Sequence, residues 1–101
     1  MKISERNKLL KQILWDYNIP VSDIDEVLKG GKKQTGHINQ SFIFRRIIES
    51  YSWFIVIQLL TPNEIRDLLT PEVIKKLRTP SLRQKYEFVR KRLHEIIPVT
   101  G

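Results

Sequence analysis

The 101-residue chain has no cysteine and no alanine, only four glycines and five prolines, and two tryptophans. Without cysteine there can be no disulfide, no thiolate metal site and no thiol chemistry. Long hydrophobic runs are missing too. The longest, Trp53 to Ile57, is far too short to span a bilayer, so no membrane association is expected. The opening Met1-Lys2-Ile3-Ser4-Glu5-Arg6 has no apolar stretch of the kind a secretion signal needs. These absences point to a cytoplasmic protein.

What is present suits a folded chain. Hydrophobic residues make up 41% and charged residues 29%, a balance that excludes both disorder and a membrane-embedded chain. Fourteen Ile and eleven Leu are ample for one modest core. At this length a single domain over residues 1–101 is expected, burying roughly 60–70% of its unfolded surface.

The charge is unevenly placed. Eighteen Lys and Arg against eleven Asp and Glu give +7. From Lys75 to Arg92 there are eight cations, Lys75, Lys76, Arg78, Arg83, Lys85, Arg90, Lys91 and Arg92, with Glu87 as the only acid. That window carries the whole net charge. A field so concentrated attracts polyanions or an acidic protein surface.

Helical spacing dominates the pattern. Leu9, Leu10, Ile13 and Leu14 predict a helix from about Ser4 to Trp15, with Ser4 as cap. Ile19-Pro20 interrupts it. A second short helix follows from Ser22 to about Lys29, closed by Gly30 in the left-handed region. Residues 30–38 hold three glycines and no apolar anchor before Ile38, which reads as a flexible Gly/Lys loop. Helix resumes near Asn39, with Phe42, Ile43, Ile47, Ile48 and Tyr51 apolar. The run from Trp53 to Ile57 suits a strand or a buried helix. With no second strand to pair with it, a helix capped at Ser52 is expected.

Thr61-Pro62, Thr70-Pro71 and Thr79-Pro80 fall nine residues apart. Each reads as a helix start, threonine capping and proline at the first helical position, and Glu64 completes a capping box for the first. The third copy continues through Leu82, Tyr86, Val89 and Leu93, so the last helix should run from Pro80 to about Ile96 and stop at Pro98. The expected fold is all-α: one compact domain of about six helices, several short and Thr-Pro-capped, the last the longest.

Chemistry-bearing residues are few, and no catalytic motif stands out. His37 in the loop and His94 on the last helix have no nucleophile or orienting carboxylate at a spacing that brings it into reach; Glu95, next to His94, points to a different side of a helix. A small enzyme would need one of them to meet an acid in a cleft. Two histidines without cysteine make no zinc site, and no cofactor is implied. Asp23, Asp25 and Glu26 fit the first turn of a helix, where the dipole favours them. Gly30-Gly31-Lys32-Lys33 lacks the spacing and preceding strand of a phosphate loop; Lys32 and Lys33, with Arg45 and Arg46, are expected to form a secondary basic loop that could touch a backbone phosphate. The aromatic residues Trp15, Trp53, Phe42, Phe44, Phe54 and Phe88 read as core, although Phe44 and Phe88 fall off their stripes and would mark a contact surface if exposed. On the last helix, Arg83 and Arg90 share one face, and Lys85 and Arg92 another. Exposed guanidinium and ammonium groups suit phosphate contact, whereas only Gln84 in this window could read an adenine edge. DNA, an acidic protein partner and plain solubility are the three accounts of this charge.

Leu14-Trp15-Asp16, Phe42-Ile43 with Arg46-Ile47-Ile48-Glu49, Trp53, Ile65 with Leu68-Leu69, and Tyr86-Glu87-Phe88 together resemble a group of small bacterial helical proteins. These are often encoded beside nucleotidyltransferase toxins of the abortive-infection type. The resemblance spans about Leu14 to Leu93 and rests on hydrophobic motifs. It implies an antitoxin-like accessory protein whose partner would be such a toxin, and it carries over no catalytic residues. The expected function is therefore non-enzymatic binding of DNA or an acidic toxin surface through the basic C-terminal helix. The alternative is a protein–protein adaptor with no nucleic-acid role.

Overall fold

The computed structural model describes residues 1–97. Of these, 68% are helical, and the fold is all-α apart from one tiny hairpin. The described residues form seven helices: α1 (Ile3–Ile13), α2 (Val21–Leu28), α3 (Gln40–Ser50), α4 (Trp53–Leu59), α5 (Pro62–Leu68), α6 (Pro71–Lys75) and α7 (Pro80–Ile96). Each Thr-Pro signal starts a helix of its own, as expected, and the total is one more than the six or so anticipated. The chain divides into two compact units, Met1–Leu59 and the residues from Leu60 onward.

In the first unit α1, α2 and α3 pack on one another, and α4 packs on α3. The core contains Leu10, Ile13, Ile24, Val27, Leu28, Ile43, Phe44, Ile47 and Ile48. Two expected caps are absent. Helix α1 starts at Ile3 and α2 at Val21, so Ser4 and Ser22 lie inside their helices and cap neither. Pro20, with its fixed φ, takes the N-cap position of α2 instead. Polar side chains join the elements. The Arg6 guanidinium donates to Asp25 at 2.7 Å, and the Tyr51 hydroxyl donates to the Leu9 carbonyl at 2.6 Å.

Residues 30–38 are more regular than a glycine-rich loop suggests. Gly30, at φ +84°, and Gly31 close α2: the Gly30 amide donates to Val27 and the Gly31 amide to Glu26. This is a Schellman arrangement, which needs a left-handed residue at Gly30. Beyond it, β1 (Gln34–Thr35) pairs antiparallel with β2 (Ile38–Asn39) around a two-residue turn. Gly36, at φ +60°, occupies the first turn position, and no non-glycine residue among those described has positive φ. Positive φ at that position alone is the pattern of a type II′ hairpin. Ile38 is buried and anchors the hairpin.

Three aromatic expectations are corrected, and Phe44 is core as expected. Trp15 is 81% exposed, Phe54 68% and Phe88 64%, whereas Phe44, which falls off its stripe, is fully buried. Trp15 lies beyond the end of α1, where helical spacing no longer governs direction. In α4 only Val56 and Leu59 are buried, because a seven-residue helix has room for one inward stripe and Phe54 falls outside it.

The second unit follows its sequence closely. Thr61 accepts from the Glu64 amide at 3.2 Å while the Glu64 carboxylate accepts from the Thr61 amide at 2.9 Å, the expected capping box. Thr70 and Thr79 cap α6 and α7 in the same way, at 3.3 and 3.2 Å. Helices α5 and α6 both pack on α7, and Ile65, Leu68, Val73, Ile74 and Leu77 of this unit are buried. Helix α7 ends at Ile96 as expected; its stop signal, Pro98, lies outside the described residues.

Tyr86 is the only fully buried side chain of α7. Burial pushes its phenol up to about 12 from the ordinary 10. Between those two values the folded protein keeps a proton that the unfolded chain has released. Its contribution is therefore complete below pH 10 and is lost as pH rises through about 12. Thermal melts at pH 9 and 11 should show a falling Tm in the wild type and a shallower fall in Tyr86→Phe. The residual slope includes Tyr51, whose hydroxyl is also raised by burial.

Candidate anion-binding groove

Helix α7 is built on a 3.6-residue period, which fixes where its charges go. Leu82, Tyr86, Val89 and Leu93 form the inward stripe. Arg83, Glu87, Arg90 and Lys91 fall on one flank, and Lys85, Phe88 and Arg92 on the other. Helix α6, held to five residues by the next Thr-Pro signal, lies against the first flank. Between them opens a groove of about 640 Å³ lined by Pro71, Ile74, Lys75, Arg83, Glu87, Arg90 and Lys91. Four cations and one carboxylate thus surround a partly apolar floor. This volume is typical of small-ligand sites.

The eight cations of the basic window have different duties. Arg83 donates to the Leu77 carbonyl at 2.6 Å, satisfying a backbone acceptor just past the end of α6. Its position is therefore fixed by the fold, though its charge still faces the groove. Arg90 is half-buried, and its Nε is shielded from solvent without a hydrogen-bond acceptor. Lys75 and Lys91 are exposed and make no ion pair among the described residues. Lys76 and Arg78 are exposed at the end of α6 and beyond it, outside the groove lining. On the other flank, Arg92 pairs with Glu95 at 3.1 Å, and Lys85 lies 5.5 Å from the Tyr86 ring centroid. Phe88 stands exposed between them.

Glu87 is the residue whose role the sequence left undeveloped. It reads there as a lone acid among bases, but in three dimensions it lines the groove and forms no ion pair among the described residues. Pro71 and Ile74 read as a helix start and a core position, and both also line the groove.

The secondary basic patch does not gather into a site. Arg46 donates to the Ile13 carbonyl and to Asp16, both at 3.3 Å, closing the C-terminal end of α1. It lies 5.2 Å from the Phe42 ring centroid and 5.9 Å from that of Tyr17, and Arg45 lies 5.7 Å from Phe42. Both arginines sit on α3, not on the loop. Lys32 pairs with Asp23 at 3.8 Å, and Lys33 is exposed. Asp25 is occupied by Arg6 and Lys29, and no cluster able to hold a metal ion exists among the described residues. His37 is exposed in the hairpin turn and His94 half-buried near the end of α7; neither contacts a carboxylate among the described residues.

No helix among the described residues is long and apolar enough to cross a membrane. No family model matches the chain, and no curated protein or solved structure shows significant similarity to it.

Proposed function

We propose that the protein is a non-enzymatic binding protein that holds a nucleic acid by its phosphates, through the α6–α7 groove and the cations beside it. The observation that carries this reading is the convergence of Lys75, Arg83, Arg90 and Lys91 on one groove with only Glu87 against them. Phosphate contact needs unneutralised guanidinium and ammonium groups at an accessible surface, and Lys75, Arg90 and Lys91 supply them. The resemblance to toxin-neighbouring helical proteins supports an antitoxin-like role in the bacterial cytoplasm, in which bound nucleic acid and toxin would be occluded together.

The test is a salt titration of binding. If about four phosphates of a duplex are neutralised, log affinity will fall with log salt at a slope near −3.6. A flat response eliminates the reading.

One observation favours a second reading, an adaptor for an acidic protein such as a nucleotidyltransferase-type toxin. Phe88 is exposed on a flank that also carries Lys85 and Arg92, and an aromatic anchor beside cations is characteristic of protein interfaces. That adaptor would bind its partner and leave nucleic acid unbound at physiological salt.

A further inference from the structure

The groove mixes features that a simple phosphate clamp does not need. Resting on the nucleic-acid reading above, we propose that it is a cradle for one nucleotide of a single strand. Lys75, Arg90 and Lys91 take the phosphate, the apolar floor takes the face of the base, and Glu87 accepts a hydrogen bond from the base's amino group.

Three observations lead there. The first is shape. A duplex keeps its bases stacked and offers their edges only within grooves wide enough for a helix or ribbon. A concavity of about 640 Å³ between a five-residue helix and the flank of α7 can touch the outside of such a duplex but cannot reach a base. A single strand can turn one base inward, because its bases unstack at modest cost.

The second is charge. A carboxylate beside three phosphate-binding cations repels phosphate, and it would weaken a pure phosphate site. Glu87 is neutralised by no cation among the described residues, so that repulsion stands unless the carboxylate has an occupant of its own. Amino groups supply one: a carboxylate is the natural acceptor for the exocyclic amine of cytosine. Thymine presents a carbonyl at the same place, and two acceptors facing each other repel.

The third is the arginine. Arg90 is partly withdrawn from water with its Nε lacking an acceptor. A desolvated guanidinium attracts an anion more strongly than a fully hydrated one. Pro71, exposed at the groove, supplies hydrocarbon against which a base can lie, with the nearly buried Ile74 beneath it.

The experiment uses the full chain at pH 8 and 100 mM salt, with labelled dC15, labelled dT15 and the dC15·dG15 duplex followed by fluorescence anisotropy. Wild type is expected to bind dC15 about 5-fold more tightly than dT15, the low end for one base-edge hydrogen bond, and more tightly than the duplex. In Glu87→Gln the dT15 affinity should rise and the dC15-to-dT15 ratio should fall toward one, because an amide can serve either base. Glu87 is exposed, so this variant is expected to fold, and its far-UV circular dichroism checks that it does. A wild-type ratio near one, a ratio unchanged in Glu87→Gln, or a duplex bound more tightly than dC15 overturns the cradle. In the last case, steep salt dependence of duplex binding leaves the phosphate reading standing. If none of the three oligonucleotides binds, both fail together.

Discussion

Replacing Lys75, Arg90 and Lys91 together by glutamine will lower nucleic-acid affinity by about 100-fold at 50 mM salt and flatten the log–log salt slope by about 2. Each cation that neutralises a phosphate releases roughly 0.7–0.9 of a condensed counterion, worth close to one decade of affinity at that salt. Three such losses would approach three decades. Arg83 and Lys76 remain nearby, and partial compensation by them brings the expectation down to two. These three positions are chosen on structural grounds. Arg83 bonds the Leu77 carbonyl, and its replacement would loosen the end of α6 as well as remove charge. Arg92 pairs with Glu95 on the other flank, so an arginine-only set of Arg83, Arg90 and Arg92 would mix folding with binding. Titrations at several salt concentrations separate the outcomes. Unchanged affinity and slope would remove the groove from any nucleic-acid contact.

Tyr86→Ala will destabilise the protein by about 3–5 kcal/mol, the usual range for deleting a buried aromatic ring. Tyr86 alone among α7 side chains is fully buried, while Leu82, Val89 and Leu93 are only half-buried. The ring therefore carries an unusual share of the apolar area that holds a 17-residue helix against α5 and α6. Since 1 kcal/mol shifts Tm by about 4–8 °C in a domain of this size, a fall of more than 12 °C is expected in thermal melts. The groove is formed between α6 and α7, so the same change should also abolish the dC15 preference. Tyr86→Phe keeps the ring and should retain both. A loss below about 1 kcal/mol in Tyr86→Ala would mean that α7 is held by something other than this contact.

These expectations depend on features of unequal legibility. The second unit could be read almost entirely from the chain. A threonine oxygen satisfies an amide three residues on, and a proline at the first helical position lacks an amide that would otherwise need a partner. Both effects act within a single turn, so Thr61-Pro62, Thr70-Pro71 and Thr79-Pro80 announce their helices without reference to the rest of the molecule. Ser4 and Ser22 carry the same capping chemistry but were overruled, because neighbouring backbone could continue the helix one residue further at little cost. The hairpin at Gln34–Asn39 is not legible in the chain because two residues per strand are too few for an alternation to show; Gly36 is its only sign.

The sequence by itself determined the helical class, the Thr-Pro boundaries, the inward stripe of α7 and the concentration of cations between Lys75 and Arg92, since spacing and capping are properties of contiguous residues. Only the tertiary structure decided which of those cations face one another. The flank of α7 that meets α6 is selected by packing between two separate helices, and the periodicity within either is silent on it. That choice put Arg83, Glu87, Arg90 and Lys91 opposite Lys75, committed Arg83 and Arg46 to backbone carbonyls, and left Trp15, Phe54 and Phe88 in water. A free carbonyl or an open flank exists only once the elements are assembled, and so does the groove.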